Sequence, residues 1–242
     1  MDNGRVGILG VGVDKFNMRQ AVERTLALLA QRNRIVICTP NPEHVICAQK
    51  DEEFRRIVNE ADLAIADGVG IVIASRLIGK PLPRVPGYDF VHELFQRDLT
   101  FYFLGGKPGV AETAKQKLEE KFSGIKILGT HDGYFTDDAP IIADINAVKP
   151  DVLIVGLGSP KQEKWIDRNK DLLEVGAFIG AGGSLDGIAG NFPRAPLFMR
   201  KIGLEWLYRV AKQPSRIKRI AGFPRFFCKV FLSRFKKNKN SV

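Results

Sequence analysis

Short apolar, largely β-branched runs recur along this chain at 5–11, 34–39, 63–66, 100–104, 125–129, 152–156 and 177–180. Most carry no polar face, which is the pattern of strands buried on both sides. Amphipathic stretches such as 19–31 and 110–122 separate them. In the second, Ala111, Ala114, Leu118 and Phe122 fall on one helical face, and Lys115, Glu119 and Glu120 lie away from it. Strand and helix in alternation predict an α/β fold, a Rossmann-like, doubly wound and mostly parallel sheet covered by helices. Beyond Ala195 only helical patterns remain. The expected organisation is a Rossmann-like body over 1–194 and an all-helical appendage over 195–242.

Charge divides the chain at nearly the same place. The formal net charge is +10. From Arg200 onward there are thirteen Lys or Arg and one acid, Glu205, so the tail carries +12 and the body is near neutral. The tail also contains Phe223, Phe226, Phe227, Val230 and Phe231 at helical spacing, extended by Phe235, with Arg225, Lys229 and Lys236 on another face. A basic helix with an aromatic stripe suits an anionic membrane surface, here through residues 223–236. The competing reading packs that stripe on the body or on a second subunit. A basic tail also permits nucleic-acid binding through phosphate electrostatics, but aromatic residues that stack on single strands normally line a groove or sheet. No nucleic acid is therefore expected.

Several classes drop out. No window of about 18 uncharged apolar residues exists, so no membrane-spanning helix is expected. Met1–Gly4 lacks a basic region followed by an apolar stretch, so no secretory signal is expected. Cys38, Cys47 and Cys228 are odd in number and form no CxxC pair, which favours a reducing, cytoplasmic setting. The histidines His44, His92 and His131 lack ligand spacing and no Asp-x-Asp occurs, so no metal site is expected.

In an open α/β sheet, ligands bind beyond the carboxyl ends of the strands. The turns expected there are Thr39-Pro40-Asn41-Pro42-Glu43, Asp67-Gly68-Val69-Gly70, Gly105-Gly106-Lys107-Pro108-Gly109, Gly156-Leu157-Gly158-Ser159-Pro160-Lys161-Gln162-Glu163 and Gly180-Ala181-Gly182-Gly183-Ser184. Several Gly-rich turns on one edge point to a phosphorylated ligand, although each glycine singly serves turning equally well. The first turn lacks GxGxxG and no GxxxxGK[ST] occurs, so a nicotinamide enzyme is unsupported and a P-loop NTPase is not expected. Asp67 ends an apolar strand and is the candidate general base; its competing role is a helix N-cap. Thr39 and Asn41 offer uncharged hydrogen bonds for sugar hydroxyls or a base edge, or serve turn chemistry. Arg84 is a candidate diphosphate clamp, or else a solvated loop arginine.

These turns, with Pro81-Leu82-Pro83-Arg84-Val85-Pro86-Gly87, Phe103-Leu104-Gly105-Gly106, Gly133-Tyr134-Phe135 and Gly182-Gly183-Ser184-Leu185-Asp186, stand in an order that resembles the WecG/TagA/CpsF glycosyltransferases over about residues 5–220. Within that family the chain is similar to the TagA type. The resemblance implies an inverting, metal-independent hexosyltransferase without a cofactor. The implied donor is UDP-N-acetylmannosamine, and the acceptor is GlcNAc-diphospho-undecaprenol on the inner membrane face, for teichoic acid linkage-unit synthesis. UDP-ManNAcA or UDP-glucose donors for exopolysaccharide remain alternatives. On this reading Asp67 is the base and Arg84 stabilises the departing UDP. Thr39 and Asn41 orient a sugar, Lys161, Gln162, Glu163 and Gly183 contact the donor, and Arg209, Arg216 and Arg219 reach diphosphates or lipid headgroups. A homo-oligomer is compatible with the sequence.

Overall fold

The computed structural model describes residues 4–31, 34–192, 194–212, 214, 217 and 221–238, with Arg209 and residues 235–238 described in backbone only. The first apolar run is not a strand of the main sheet. It folds on itself as the hairpin β1 (Val6–Ile8) and β2 (Val11–Val13), with Val6 opposite Val13 and Ile8 opposite Val11. Leu9 and Gly10 make the two-residue turn at φ 48° and 87°, the double positive φ of a type I′ connection. Asp14 then fastens the hairpin to the sheet edge. It pairs with Arg5 at 2.9 Å and exchanges backbone and carboxylate hydrogen bonds with Ala64. That edge strand is thereby shielded from pairing with another chain.

The remaining runs form one six-stranded sheet from β3 (Ile35–Cys38), β4 (Leu63–Ala64), β5 (Thr100–Gly105), β6 (Lys126–His131), β7 (Val152–Gly156) and β8 (Ala177–Gly180). The order is β4-β3-β8-β7-β5-β6 and every pair is parallel. The body helices are α1 (Met18–Ala30), α2 (Pro42–Ala48), α3 (Glu52–Glu60), α4 (Val69–Leu77), α5 (Gly87–Leu94), α6 (Val110–Lys121), α7 (Ala139–Val148), α8 (Lys161–Asn169) and α9 (Ser184–Ala189). Successive strand residues point to opposite faces, and both faces are covered. Phe101, Phe103 and Ile154 pack with Phe90 and Leu94 of α5 and Ala114 and Leu118 of α6. Tyr102, Leu104, Leu153 and Val155 pack with Ile141 and Ile145 of α7 and Trp165 of α8. Double coverage is the reason these strands read as unbroken apolar runs. Polar residues start the helices between them: Asn17 forms a capping box with Gln20, and Asp51 accepts the Phe54 N–H.

Past Ala195 the chain forms α10 (Leu197–Lys201), α11 (Glu205–Lys212) and α12 (Phe223–Asn238). The aromatic stripe of α12 is split. Phe226, 2% exposed, and Val230, fully buried, join a cluster with Val45 and Ala48 of α2, Ile71 and Ala74 of α4, and Leu82. Phe227 packs on that cluster in part, while Phe231 and Leu232 face solvent. The competing sequence reading, packing on the body, therefore holds for one side of the stripe. Removing a buried phenylalanine ring costs about 3–5 kcal/mol. Phe226→Ala is expected to lower the denaturant midpoint by that order, and Phe231→Ala to change stability by less than about 0.5 kcal/mol. Equal effects in urea titrations would show α12 undocked in solution.

Candidate active site

Parallel strands end on one side of the sheet, so the turns after β3, β4, β7 and β8 open on a common edge. The turns after β3 and β4 form one half of the site. The Asp67 N–H donates to the Pro40 carbonyl at 3.0 Å, and Asp67 Oδ1 accepts the N–H of Gly87 at 3.1 Å. Gly68 occupies the N-cap of α4 and supplies no side-chain bond. Asp67 is thus not the cap of the helix that follows it; it reaches across to the start of α5. Gly87 also abuts Thr39, since a Cβ there would lie 3.2 Å from Thr39 Cγ2. Thr39, Asp67 and Gly87 are therefore one cluster, half-buried and at the strand ends. Asn41 sits beside them but spends its Oδ1 on the His44 N–H, as the N-cap of α2.

Gln162 and Glu163 form the other half, and both are buried. Gln162 Oε1 accepts the Gly182 N–H at 3.0 Å, and Gln162 Nε2 donates to Glu163 Oε1 at 2.8 Å. Gln162 thus holds the turn after β8, with Glu163 beside it. Glu163 Oε2 is buried with no hydrogen-bond partner among the described residues. A Cβ on Gly180, at the end of β8, would lie 3.2 Å from Glu163 Oε1, and β8 pairs with β3; burial first, and the Glu163 carboxylate second, push the Cys38 thiol of β3 far up. The seam between the two halves runs there. Lys161 is exposed, with its ammonium 5.6 Å from the centre of the Phe135 ring. Gly183 is exposed at the start of α9.

The glycines of the edge are of two kinds. A Cβ on Gly105 (φ 135°) would sit 2.5 Å from the Gly156 carbonyl, and the Gly133 N–H donates to the Gly106 carbonyl at 2.8 Å. These glycines admit one another. Gly158 and Gly182 also have positive φ, yet nothing lies within 4 Å of a Cβ built on either. Gly68 after β4 and Gly109 after β5 are open in the same way, so the free glycines lie in turns on both halves of the edge.

Arg84 points toward the C-terminal segment. Its Nη1 donates to the Arg200 carbonyl at 2.7 Å, and its Nη2 lies 3.9 Å from Glu205 Oε2. Arg216 and Arg219 lie outside the described residues; Arg209 is placed on α11 by its backbone. Sequence reasoning missed a second tie. The Arg194 guanidinium lies 4.1 Å over the Tyr88 ring and pairs with Asp89 at 2.8 Å. The signal available was Tyr88-Asp89 in the first turn after Gly87. Among the described residues, no three or more His, Cys, Asp or Glu are gathered as a metal-ligand group.

A doubly wound sheet with a carboxylate, a hydroxyl and open Gly-rich turns at its carboxyl edge defines an α/β enzyme for a sugar or nucleotide ligand. The chain belongs to the glycosyl transferase WecG/TagA/CpsF family, whose model matches residues 6–240, and it is a glycosyltransferase. It is 33% identical over 245 residues to the N-acetylglucosaminyldiphosphoundecaprenol N-acetyl-beta-D-mannosaminyltransferases of Staphylococcus aureus strains MW2 and NCTC 8325 / PS 47. The match covers 98% of this chain and 96% of each relative.

His92 stacks on Tyr88 with ring centres 4.3 Å apart, close behind this site. Burial is the main cause that pulls its pKa down, from 6.5 to about 4; the cations Lys121 and Arg194 push the same way, against the Tyr88 carbonyl and Asp89. The folded state thus resists the proton that the unfolded state accepts. This contribution to stability is complete above pH 6.5 and is lost as pH falls toward 4. Thermal melts at pH 7 and 5 are expected to show a smaller acid loss in His92→Phe than in the parent chain. An identical loss in both would remove His92 from the pH response.

Proposed function

We propose that the chain transfers N-acetylmannosamine from UDP-N-acetylmannosamine to GlcNAc-diphospho-undecaprenol, by one inverting displacement that needs no metal. The observation that carries this reading is the meeting of Thr39, Asp67 and Gly87 at the strand ends, in a chain 33% identical to enzymes named for that transfer. The acceptor hydroxyl attacks the anomeric carbon as the bond to the UDP β-phosphate oxygen breaks. The bond's electron pair leaves with UDP, and the hydroxyl proton passes to Asp67. The Gly87 N–H fixes one carboxylate oxygen and so orients the base. Thr39 and Asn41 orient a sugar from the β3 side. Gln162 and Glu163 hold the turn that carries Gly183, and this turn with Lys161 receives the donor. Arg84 draws off charge from the departing diphosphate, and the tail arginines Arg209, Arg216 and Arg219 assist at diphosphates or headgroups.

Among the described residues no helix is long and apolar enough to cross a membrane. The polyprenyl acceptor stays in the bilayer, so we place the enzyme peripherally on its cytoplasmic face. The contact surface is the outer side of α12, where Phe231 and Leu232 stand among exposed Arg225, Lys229 and Arg234. Leu197, Phe198 and Ile202, exposed at α10, add to it. Each basic residue near an anionic leaflet contributes on the order of 1 kcal/mol.

Two measurements test these claims. Asp67→Asn is expected to melt like the parent chain and to lose UDP release by about 10²–10⁴-fold, the usual worth of a positioned base; near-parental turnover would remove Asp67 from that role. Phe231→Glu with Leu232→Glu is expected to abolish flotation with phosphatidylglycerol vesicles. Undiminished flotation would take α12 out of membrane contact.

A further inference from the structure

Glu205 is the single acid in a 43-residue stretch with thirteen cations. Such a residue has many basic neighbours in sequence and every reason to stay in water. Its side chain is instead only 12% exposed, and it faces Arg84 of the body. On the Arg84 side the pairing is incomplete. At 3.9 Å the Arg84 Nη2–Glu205 Oε2 separation is too long for a hydrogen bond, so charge is balanced without docking. Arg84 Nε is buried and has no hydrogen-bond partner among the described residues. A guanidinium fork is built for two oxygens of one planar or tetrahedral anion. Here it holds one carbonyl, on Nη1, and one distant carboxylate.

We infer that Glu205 is a resident counter-anion at Arg84, which the diphosphate of the substrate displaces. This rests on the reading of Arg84 as the residue that takes up diphosphate charge. A carboxylate and a diphosphate cannot share one guanidinium in a partly dehydrated site without like-charge repulsion. Binding of the diphosphate therefore works against Glu205, and Glu205 lowers the affinity of the site for any diphosphate. Its use is to keep a half-buried arginine neutralised when no substrate is present. The same geometry ties α11 to the body through a contact that the ligand breaks, so ligand and α11 compete for Arg84.

The sign of the effect separates this from a scaffold role. Calorimetric titration of the full chain with UDP is expected to show Glu205→Gln binding about fivefold tighter than the parent. Arg84→Ala is expected to bind roughly tenfold or more weakly, and adding Glu205→Gln to it should change nothing further. Glu205→Asp, which keeps the charge but withdraws it by one methylene, should fall between parent and Glu205→Gln, and it serves in place of Glu205→Gln if that variant melts early. If Arg84→Ala weakens binding while neither Glu205 variant tightens it, Glu205 is a scaffold residue and the inference fails with the Arg84 role intact. If Arg84→Ala leaves UDP binding unchanged, the Arg84 role itself falls, and the inference with it.

Discussion

The pairing of β3 with β8 is the contact on which the site depends. Ile35, Val36 and Ile37 lie beside Ala177, Phe178 and Ile179, residues from opposite ends of the body. Ile35, Ile37 and all three β8 partners are fully buried. On one side of this seam stand Thr39 and, through β4, Asp67; on the other stand Gln162, Glu163 and the turn at Gly182. Bringing such distant segments together costs loop-closure entropy, which only the burial of the assembled sheet offsets. The two halves therefore come together when the whole sheet does. Glu163 registers the seam electrostatically, since its carboxylate on one half acts on the Cys38 thiol on the other.

The parallel sheet was legible because its residues answer to one demand. A strand covered on both faces must be apolar throughout, and the runs at 100–104, 152–156 and 177–180 are. The run at 5–11 meets the same test and is a hairpin. The difference lies in Leu9, whose φ of 48° nothing in a leucine side chain announces. Asp67 and Thr39 were legible for a different reason: a polar residue at the end of an apolar strand has few places to go except the crevice. Their partner Gly87 was not, because it arrives from beyond the next helix. Glycines were the weakest guide. Gly105 and Gly158 look alike in sequence, yet one fills a backbone-to-backbone contact and the other faces open space.

Charge and aromatic spacing described the tail without saying which side of it is outside. An amphipathic stripe signals burial against something apolar, and protein and lipid satisfy it equally. The structure resolves this one residue at a time. Phe226 and Val230 fill the floor between α2 and α4, while Phe231 and Leu232, within a turn of them, stay exposed. Within the tail, α12 is docked on the body. That helix is anchored by Phe226 and Val230, and its described basic residues Arg225, Lys229 and Arg234 are exposed.

One short stretch, 84–89, touches both the C-terminal segment and Asp67, beside the packing of α12 on α2 and α4. Arg84 holds the Arg200 carbonyl and faces Glu205, and Tyr88 and Asp89 together hold Arg194. Gly87, in their midst, supplies the N–H that fixes Asp67 Oδ1. The backbone of the stretch is itself tied to β4 by the Val85 N–H on the Ala66 carbonyl at 2.9 Å. For the base proposed at Asp67, a misplacement of about 1 Å would be costly. Here one carboxylate oxygen is held by a backbone group whose neighbours Arg84, Tyr88 and Asp89 contact residues 194–205. Residues 194–205 and 84–89 are thus joined by the Arg84–Arg200 hydrogen bond, the Arg194–Asp89 ion pair and the longer Arg84–Glu205 pair. The same six-residue stretch therefore contacts both Asp67 and the segment that leads into the tail.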